Sequence, residues 1–253
     1  MDPLVEKYPG WSPYNYTLQN PINLVDPDGR APIDPNKIIT TITQAITSSG
    51  QIRSQGNIKM TLTVVNMNGS DLSSTMFSRR KGNINLKNYK GWGQSMIPGA
   101  GKVFNGVNSS LDKIENFEVD YVVVNNLDEI RKNDNVLLIV DQLNKTNRGE
   151  EAAGYNEGSV SAVTSSTIKR GTFNQTSQHE IGHGLGADHS ASGLMKRGGN
   201  NFNLSRRSIG KIMWEQAGYN GEGTYDNSKN NSQFNMTGKE ASQKFIRDHV
   251  EDF

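Results

Sequence analysis

Apolar positions recur along the chain in two periods. From Pro35 to Ser48, residues Ile38, Ile39, Ile42, Ala45 and Ile46 fall at helical spacing, which predicts an amphipathic helix. Asp34 is placed to cap it, Pro35 suits its first position, and Gly50 suits its stop. Ile58–Met67 alternates, with Ile58, Met60, Leu62 and Val64 on one face, and predicts a strand. Val119–Val124 and Val136–Val140 are short, β-branched and apolar, the pattern of buried strands, and Leu127–Arg131 between them suits one helical turn. Tyr155–Thr167 alternates small and polar residues with Val160, Ala162 and Val163 and reads as an edge strand. Helices are expected over Asn174–Leu185, Leu204–Ala217 and Lys239–Val250. Tyr219–Asn235, rich in Gly, Asn and Ser, reads as a surface loop. Residues 68–116 show no clear period, and the basic run Arg79-Arg80-Lys81 within them reads as solvated loop.

Composition narrows the functional classes. Hydrophobic residues make up 33% of the 253 positions, and the shortfall is filled by Asn, Ser, Thr and Gly, since charged residues are only 21%. The formal net charge is +1. That balance argues against a chain-wide electrostatic footprint for nucleic acid and against a polybasic membrane anchor. Cysteine is absent, which excludes disulfides, thiolate zinc sites and a cysteine nucleophile. No run approaches the eighteen or so apolar residues of a transmembrane helix. Met1-Asp2-Pro3-Leu4 lacks the basic end and apolar core of a signal peptide, so any export signal is expected outside this chain.

Residues 1–34 form a distinct arm. They hold Pro3, Pro9, Pro13, Pro21, Pro27 and Pro32, with Tyr8, Trp11, Tyr14 and Tyr16 interleaved, and so cannot form a long helix. The text Tyr8-Pro9-Gly10-Trp11-Ser12-Pro13-Tyr14-Asn15-Tyr16, followed by Asn20-Pro21-Ile22-Asn23-Leu24-Val25-Asp26-Pro27-Asp28-Gly29, resembles the end of the core domain of Rhs/YD-repeat proteins. There a conserved β-shell gives way to a variable C-terminal toxin. Arg30 follows Gly29 where many members of that family carry Leu. The resemblance divides the chain into an arm, residues 1–34, and a second domain, residues 35–253.

The chemistry concentrates in His179-Glu180-Ile181-Gly182-His183-Gly184-Leu185-Gly186-Ala187-Asp188-His189. His179 and His183 are four apart, so on a helix they share one face a turn apart. Two imidazoles so placed can aim ring nitrogens at one ion about 2 Å away. Glu180 is rotated by one residue. It is badly placed to be a third ligand but well placed to lean over the ion's open position. Gly186 suits a helix stop, and the reversed chain can return His189 as a third ligand. Three neutral histidines with one open position are the catalytic rather than the structural zinc arrangement. Five fixed residues at these offsets arise by chance in a chain this long with a frequency on the order of 10⁻⁵.

His179-Glu180-x-x-His183-x-x-Gly186-x-x-His189 resembles the metzincin zinc signature. Ser190 and Gly193-Leu194-Met195 beyond it look like the matrixin-like branch, in which a methionine lies in a tight turn beneath the metal; Met195 matches that position. Lys196 and Arg197 follow Met195, so the tyrosine that some metzincins place two residues on is missing. The resemblance implies an α+β, zincin-like fold: a mixed twisted sheet with its edge strand over an active-site helix, a Met-turn and C-terminal helices. It implies that His179, His183 and His189 hold one zinc ion, and that Glu180 takes a proton from the attacking water and delivers it to the leaving amine. It also implies that substrate lies extended beside the edge strand within Gly154–Thr167. Ser159, Val160, Ser161 and Ala162 are the candidates for substrate contact. The Asn-, Asp- and Gly-rich loops offer oxygen donors of the kind a structural calcium ion takes, without a spacing that assigns one.

Together the two resemblances point to a zinc endopeptidase acting on protein or peptide. It would be the toxin of an Rhs effector, secreted or delivered into a rival cell, enclosed by the parent's β-shell and restrained by a cognate immunity protein. Neither nucleic acid nor membrane insertion is expected. Two alternatives remain open: a catalytically inactive zincin-like binding module, against which the retained Glu180 argues, and a nuclease toxin of the Rhs class, which would want clustered positive charge.

Overall fold

The computed structural model describes residues 38–46, 48, 50, 52–86, 109–130, 134–144, 151–198, 202–217, 222–226 and 238–250. The arm at 1–34, Asp34 and Pro35 lie outside the described residues. Among the described residues, eight strands form one mixed, twisted sheet: β1 (Ile38–Ile46), β2 (Ile52–Asn66), β3 (Lys81–Asn85), β4 (Ser109–Val124), β5 (Asn135–Val140), β6 (Gly154–Glu157), β7 (Val160–Thr164) and β8 (Gly223–Asp226). The helices are α1 (Ser166–Lys169), α2 (Phe173–Gly184), α3 (Arg206–Ala217) and α4 (Gly238–His249). This mixed sheet with its helices is compatible with the α+β class expected from the sequence.

The sheet runs β3-β4-β2-β5-β7-β6. The β2–β4, β2–β5 and β5–β7 pairs are parallel, and β3 and β6 close the two ends antiparallel. β2 is long enough to take two partners end to end on one side. Ile52–Met60 pair antiparallel with β1, and Leu62–Asn66 pair with β5. β8 adds to the outer side of β1.

Each face of the sheet carries its own core. Ile58, Met60, Leu62 and Val64 of β2, all buried on one face as expected, pack with Phe117, Val119, Leu137 and Ile139, and α2 and α3 cover them with Ile181, Leu185, Ile209, Ile212 and Met213. On the opposite face Val65, Val136, Leu138, Val140, Val160 and Ala162 pack against Phe245 and Ile246 of α4. Burying side chains on both faces is why β5 reads as the unbroken apolar run Val136–Val140. Thr61 and Thr63 donate to the fully buried Asp134 carboxyl at the head of β5, so that this polar group is not left without partners.

Several expectations are corrected. Ile38–Ile46 is a strand, not part of a helix over 35–48. Ile38, Thr40 and Ile42 are all buried and the segment holds a full antiparallel register with β2. Its Ile and Thr residues favour an extended chain. Gly50, expected to stop that helix, instead has φ of 75° in the link between β1 and β2. The patternless stretch contains β3 and the first half of β4. Tyr219–Asn235 contains β8. Tyr155–Thr167 is not one strand but the β6–β7 hairpin turning at Gly158, φ 62°. Helices α2, α3 and α4 lie within about two residues of their expected bounds, the usual uncertainty at helix ends. The expected turn after Val124 is a 3₁₀ turn at Leu127–Glu129, capped by the Asn126 side chain accepting from Asp128 N–H at 3.0 Å. Arg79, Arg80 and Lys81 are exposed, as expected of a solvated run. No helix among the described residues is long and apolar enough to cross a membrane.

Candidate metal centre

The site is built on α2 and on the turn that ends it. Ile181 and Leu185 anchor α2 in the core beneath the sheet. At its C-terminus Gly186 N–H donates to His183 O at 2.8 Å and Ala187 N–H to Gly182 O at 2.9 Å. This is a Schellman arrangement, and it requires Gly186 in the left-handed region, where its φ is 99°. The chain then reverses and carries His189 back toward the helix. The turn is held from outside by α3. Gln216 Nε2–H donates to Leu185 O at 3.1 Å, and Lys211 lies 3.4 Å from Asp188.

The three histidines converge. Their ring centroids are 4.8 Å apart for His179–His183, 4.5 Å for His183–His189 and 5.4 Å for His179–His189. One ring nitrogen from each lies within 4.8 Å of the others, a group able to hold a metal ion. His179 Nδ1 donates to Leu194 O at 2.6 Å and His183 Nδ1 to Ala187 O at 2.7 Å. With Nδ1 protonated in both, both Nε2 atoms present lone pairs, and these face each other across 3.2 Å. Two facing acceptors repel unless a cation lies between them. The separation is close to the roughly 3.3 Å edge of a tetrahedron with metal–nitrogen bonds of about 2.0–2.1 Å. The donor set therefore fits zinc: neutral imidazoles, tautomers fixed by backbone carbonyls, and converging lone pairs. Burial holds all three histidines below the ordinary imidazole value, and the Arg197 charge adds to this. Both effects favour the neutral form that ligates a metal.

Glu180 is 6% exposed, and burial pushes its carboxyl up to about 8. A carboxyl with a pKa near neutral is suited to taking up and releasing a proton. Met195 is fully buried in the core. The turn around it is tied by Lys196 N–H to Gly193 O at 3.2 Å and Ser190 N–H to Met195 O at 3.0 Å. Gly193 has φ of 79° there. Thus His179, His183, His189, Glu180 and the Met195 turn form one locality.

The expected substrate-contact residues are not brought into it. Val160, Ser161 and Ala162 belong to β7, which is paired on both sides, by β5 and β6, and they are buried. Their backbone groups serve the sheet and cannot receive an extended chain. Ser159 lies in the hairpin turn. The strand end nearest α2 that has no further strand partner among the described residues is β6, Gly154–Glu157, which packs against α2. The signal for this was the Gly158-Ser159 pair between two short runs, a two-residue hairpin loop. Sequence reasoning also missed Leu194, Ala187 and Gln216, which act through backbone carbonyls or across long sequence separations and leave no spacing pattern. No family model matches the chain, and neither the curated proteins nor the solved structures compared with it include a match.

Proposed function

We propose that the chain is a zinc-dependent endopeptidase of metzincin type. The observation that carries this reading is the convergence of His179, His183 and His189, two of them oriented by backbone carbonyls, beside the buried carboxyl of Glu180 on the same helix. His179, His183 and His189 would hold the ion. When bound, zinc supplies Lewis acidity that polarises a peptide carbonyl and lowers the pKa of water. Glu180 takes a proton on a carboxylate oxygen from the attacking water and passes it to the leaving amine nitrogen. The β6 edge, packed on α2, offers backbone donors and acceptors to a peptide added as a further strand. The zincin-like fold is part of the same proposal, supported by the order β5-β7-β6 with the helix lying under its antiparallel edge. The resemblance of residues 2–30 to the Rhs core supports a toxin secreted or delivered from a larger effector, with a β-shell before release and an immunity protein after it.

The test is peptide cleavage by purified protein with and without chelator, with zinc content measured in parallel. The Glu180→Gln variant should retain zinc and lose at least about 10²-fold in cleavage of a casein-type substrate. Parent-rate cleavage by that variant would remove Glu180 as the base. Zinc binding without any cleavage would favour the inactive binding module.

A further inference from the structure

Helix α2 and strand β6 approach each other more closely than ordinary side chains allow. Thr176, Glu180 and Gly184 fall four residues apart on α2 and so share one face, and that face meets Gly154 and Asn156 of β6. A Cβ placed on Gly184 would come within 3.3 Å of Asn156 Nδ2 and 3.4 Å of Gly158 O. The contact at Gly154 is tighter. A Cβ there would lie 2.7 Å from Glu180 Oε1, 2.9 Å from Glu180 Cγ and 2.8 Å from Thr176 Cγ2. Gly154 is not among the glycines with positive φ, so its backbone makes no demand that only glycine meets. Space explains it. The neighbouring β6 residue Tyr155 points to the other face, where its ring packs 6.0 Å from that of Phe245 and 4.5 Å from that of His249.

We infer that Gly154 is a positioning residue for Glu180. Because it has no side chain, the carboxylate can lie directly against the edge-strand backbone, and that backing fixes where its oxygens stand relative to the histidines on the same helix. This rests on the reading of Glu180 as the base. A methyl at Gly154 has little room to escape. Thr176 Cγ2 blocks one side and Glu180 the other, and the carboxyl is itself buried. The carboxylate must turn aside or the strand must withdraw from the helix.

The experiment uses the full chain with Gly154→Ala, Glu180→Gln and Gly154→Ala/Thr176→Ala, the last relieving the methyl on the threonine side only. Three readouts are taken: zinc affinity by competition with a chelating dye, the visible spectrum of the cobalt-substituted protein, and kcat and KM on a casein-derived peptide. For Gly154→Ala the metal affinity should stay within about threefold, and kcat should fall by about 10²-fold with KM little changed. Its cobalt spectrum should move toward that of Glu180→Gln. Should Gly154→Ala fail to fold, the double variant should fold and show the same changes. A parent-like cobalt spectrum in the folded glycine variant would overturn the inference. So would a loss of metal affinity in proportion to activity, which would mean that the whole helix had moved. If the parent binds zinc but cleaves nothing, the endopeptidase reading fails, while the cobalt spectra still decide whether Gly154 places the carboxylate.

Discussion

His179 Nδ1 lies 2.6 Å from the carbonyl oxygen of Leu194, so the first histidine of the cluster is oriented by the residue immediately before Met195. The Met195 side chain, fully buried in the core, thereby anchors the carbonyl that orients this histidine. Met195→Ala should cost about 2–5 kcal/mol in folding through the cavity it leaves, and about 10- to 100-fold in metal affinity as the Leu194 carbonyl relaxes. Met195→Leu, which nearly conserves volume, should lose far less of either. Thermal unfolding and chelator competition on the same preparations measure the two effects.

Metal binding should stabilise the fold measurably, because the three ligands are assembled only when α2 and its terminal turn are formed. Free zinc at about a thousand times its dissociation constant adds about 4 kcal/mol. A rise in Tm on adding zinc, reversed by chelator, is the expected result. His189→Ala removes the ligand supplied by the reversed chain, and its Tm should respond only weakly to zinc. An equal response from that variant would show that His189 is not a ligand.

Gly186 combines two constraints. Its φ is 99°, and a Cβ there would run into the side chain of Glu215 on α3. Gly186→Ala should destabilise by about 1–3 kcal/mol, the scale of a side chain forced into a glycine conformation. Gly186→Ala/Glu215→Ala removes the contact but not the strain. Partial recovery in denaturant titration is expected; full recovery would assign the cost to Glu215 alone.

The Glu157 carboxylate accepts from His249 Nε2–H at 2.6 Å and from Lys244 Nζ at 2.9 Å, joining β6 to α4. The hydrogen bond from His249, then that from Lys244, holds the carboxyl below its ordinary value. A carboxyl whose folded pKa is depressed stabilises the fold above its unfolded pKa, about 4.3, and loses that contribution as pH falls through the folded value. The group is largely solvated, so the gain is small. Glu157→Gln should cost about 0.5 kcal/mol at neutral pH, less in high salt. Parent and variant should converge in acid. A gap that widens on acidification would contradict this assignment.

The legibility of the chain follows the range of its interactions. The histidine cluster was readable because His179, His183 and His189 sit on one helix and its terminal turn, where sequence spacing equals spatial spacing. Ile38, Ile42 and Ile46 are four apart, and four is a helical interval as well as an even number, so the same residues serve one face of a strand. In β4 the register against β2 slips between Gly56 and Asn57, so that Ile114 and Asn116 pair consecutive partners. The extra residue puts Ile114 and Phe117, both fully buried, in opposite parity and erases the alternation that would reveal a strand. The edge strand was misplaced for a related reason: β7 owes its burial to β5 and α4, neighbours remote in the sequence.

The strand order also sets a sequence of events in time. β2 pairs with β4 and β5, and β5 with β7, and each of these parallel pairings closes a long loop before any contact repays it, so folding should be slow. The histidines are close neighbours in the chain, yet the carbonyl that orients His179 and the Gln216 amide that holds the terminal turn arrive from beyond them. A chain refolding from denaturant should therefore acquire tight metal binding at the rate of global folding rather than at the microsecond rate at which an isolated helix forms. Until the sheet has closed, the nascent protein would carry its ligand sequence without the means to use it.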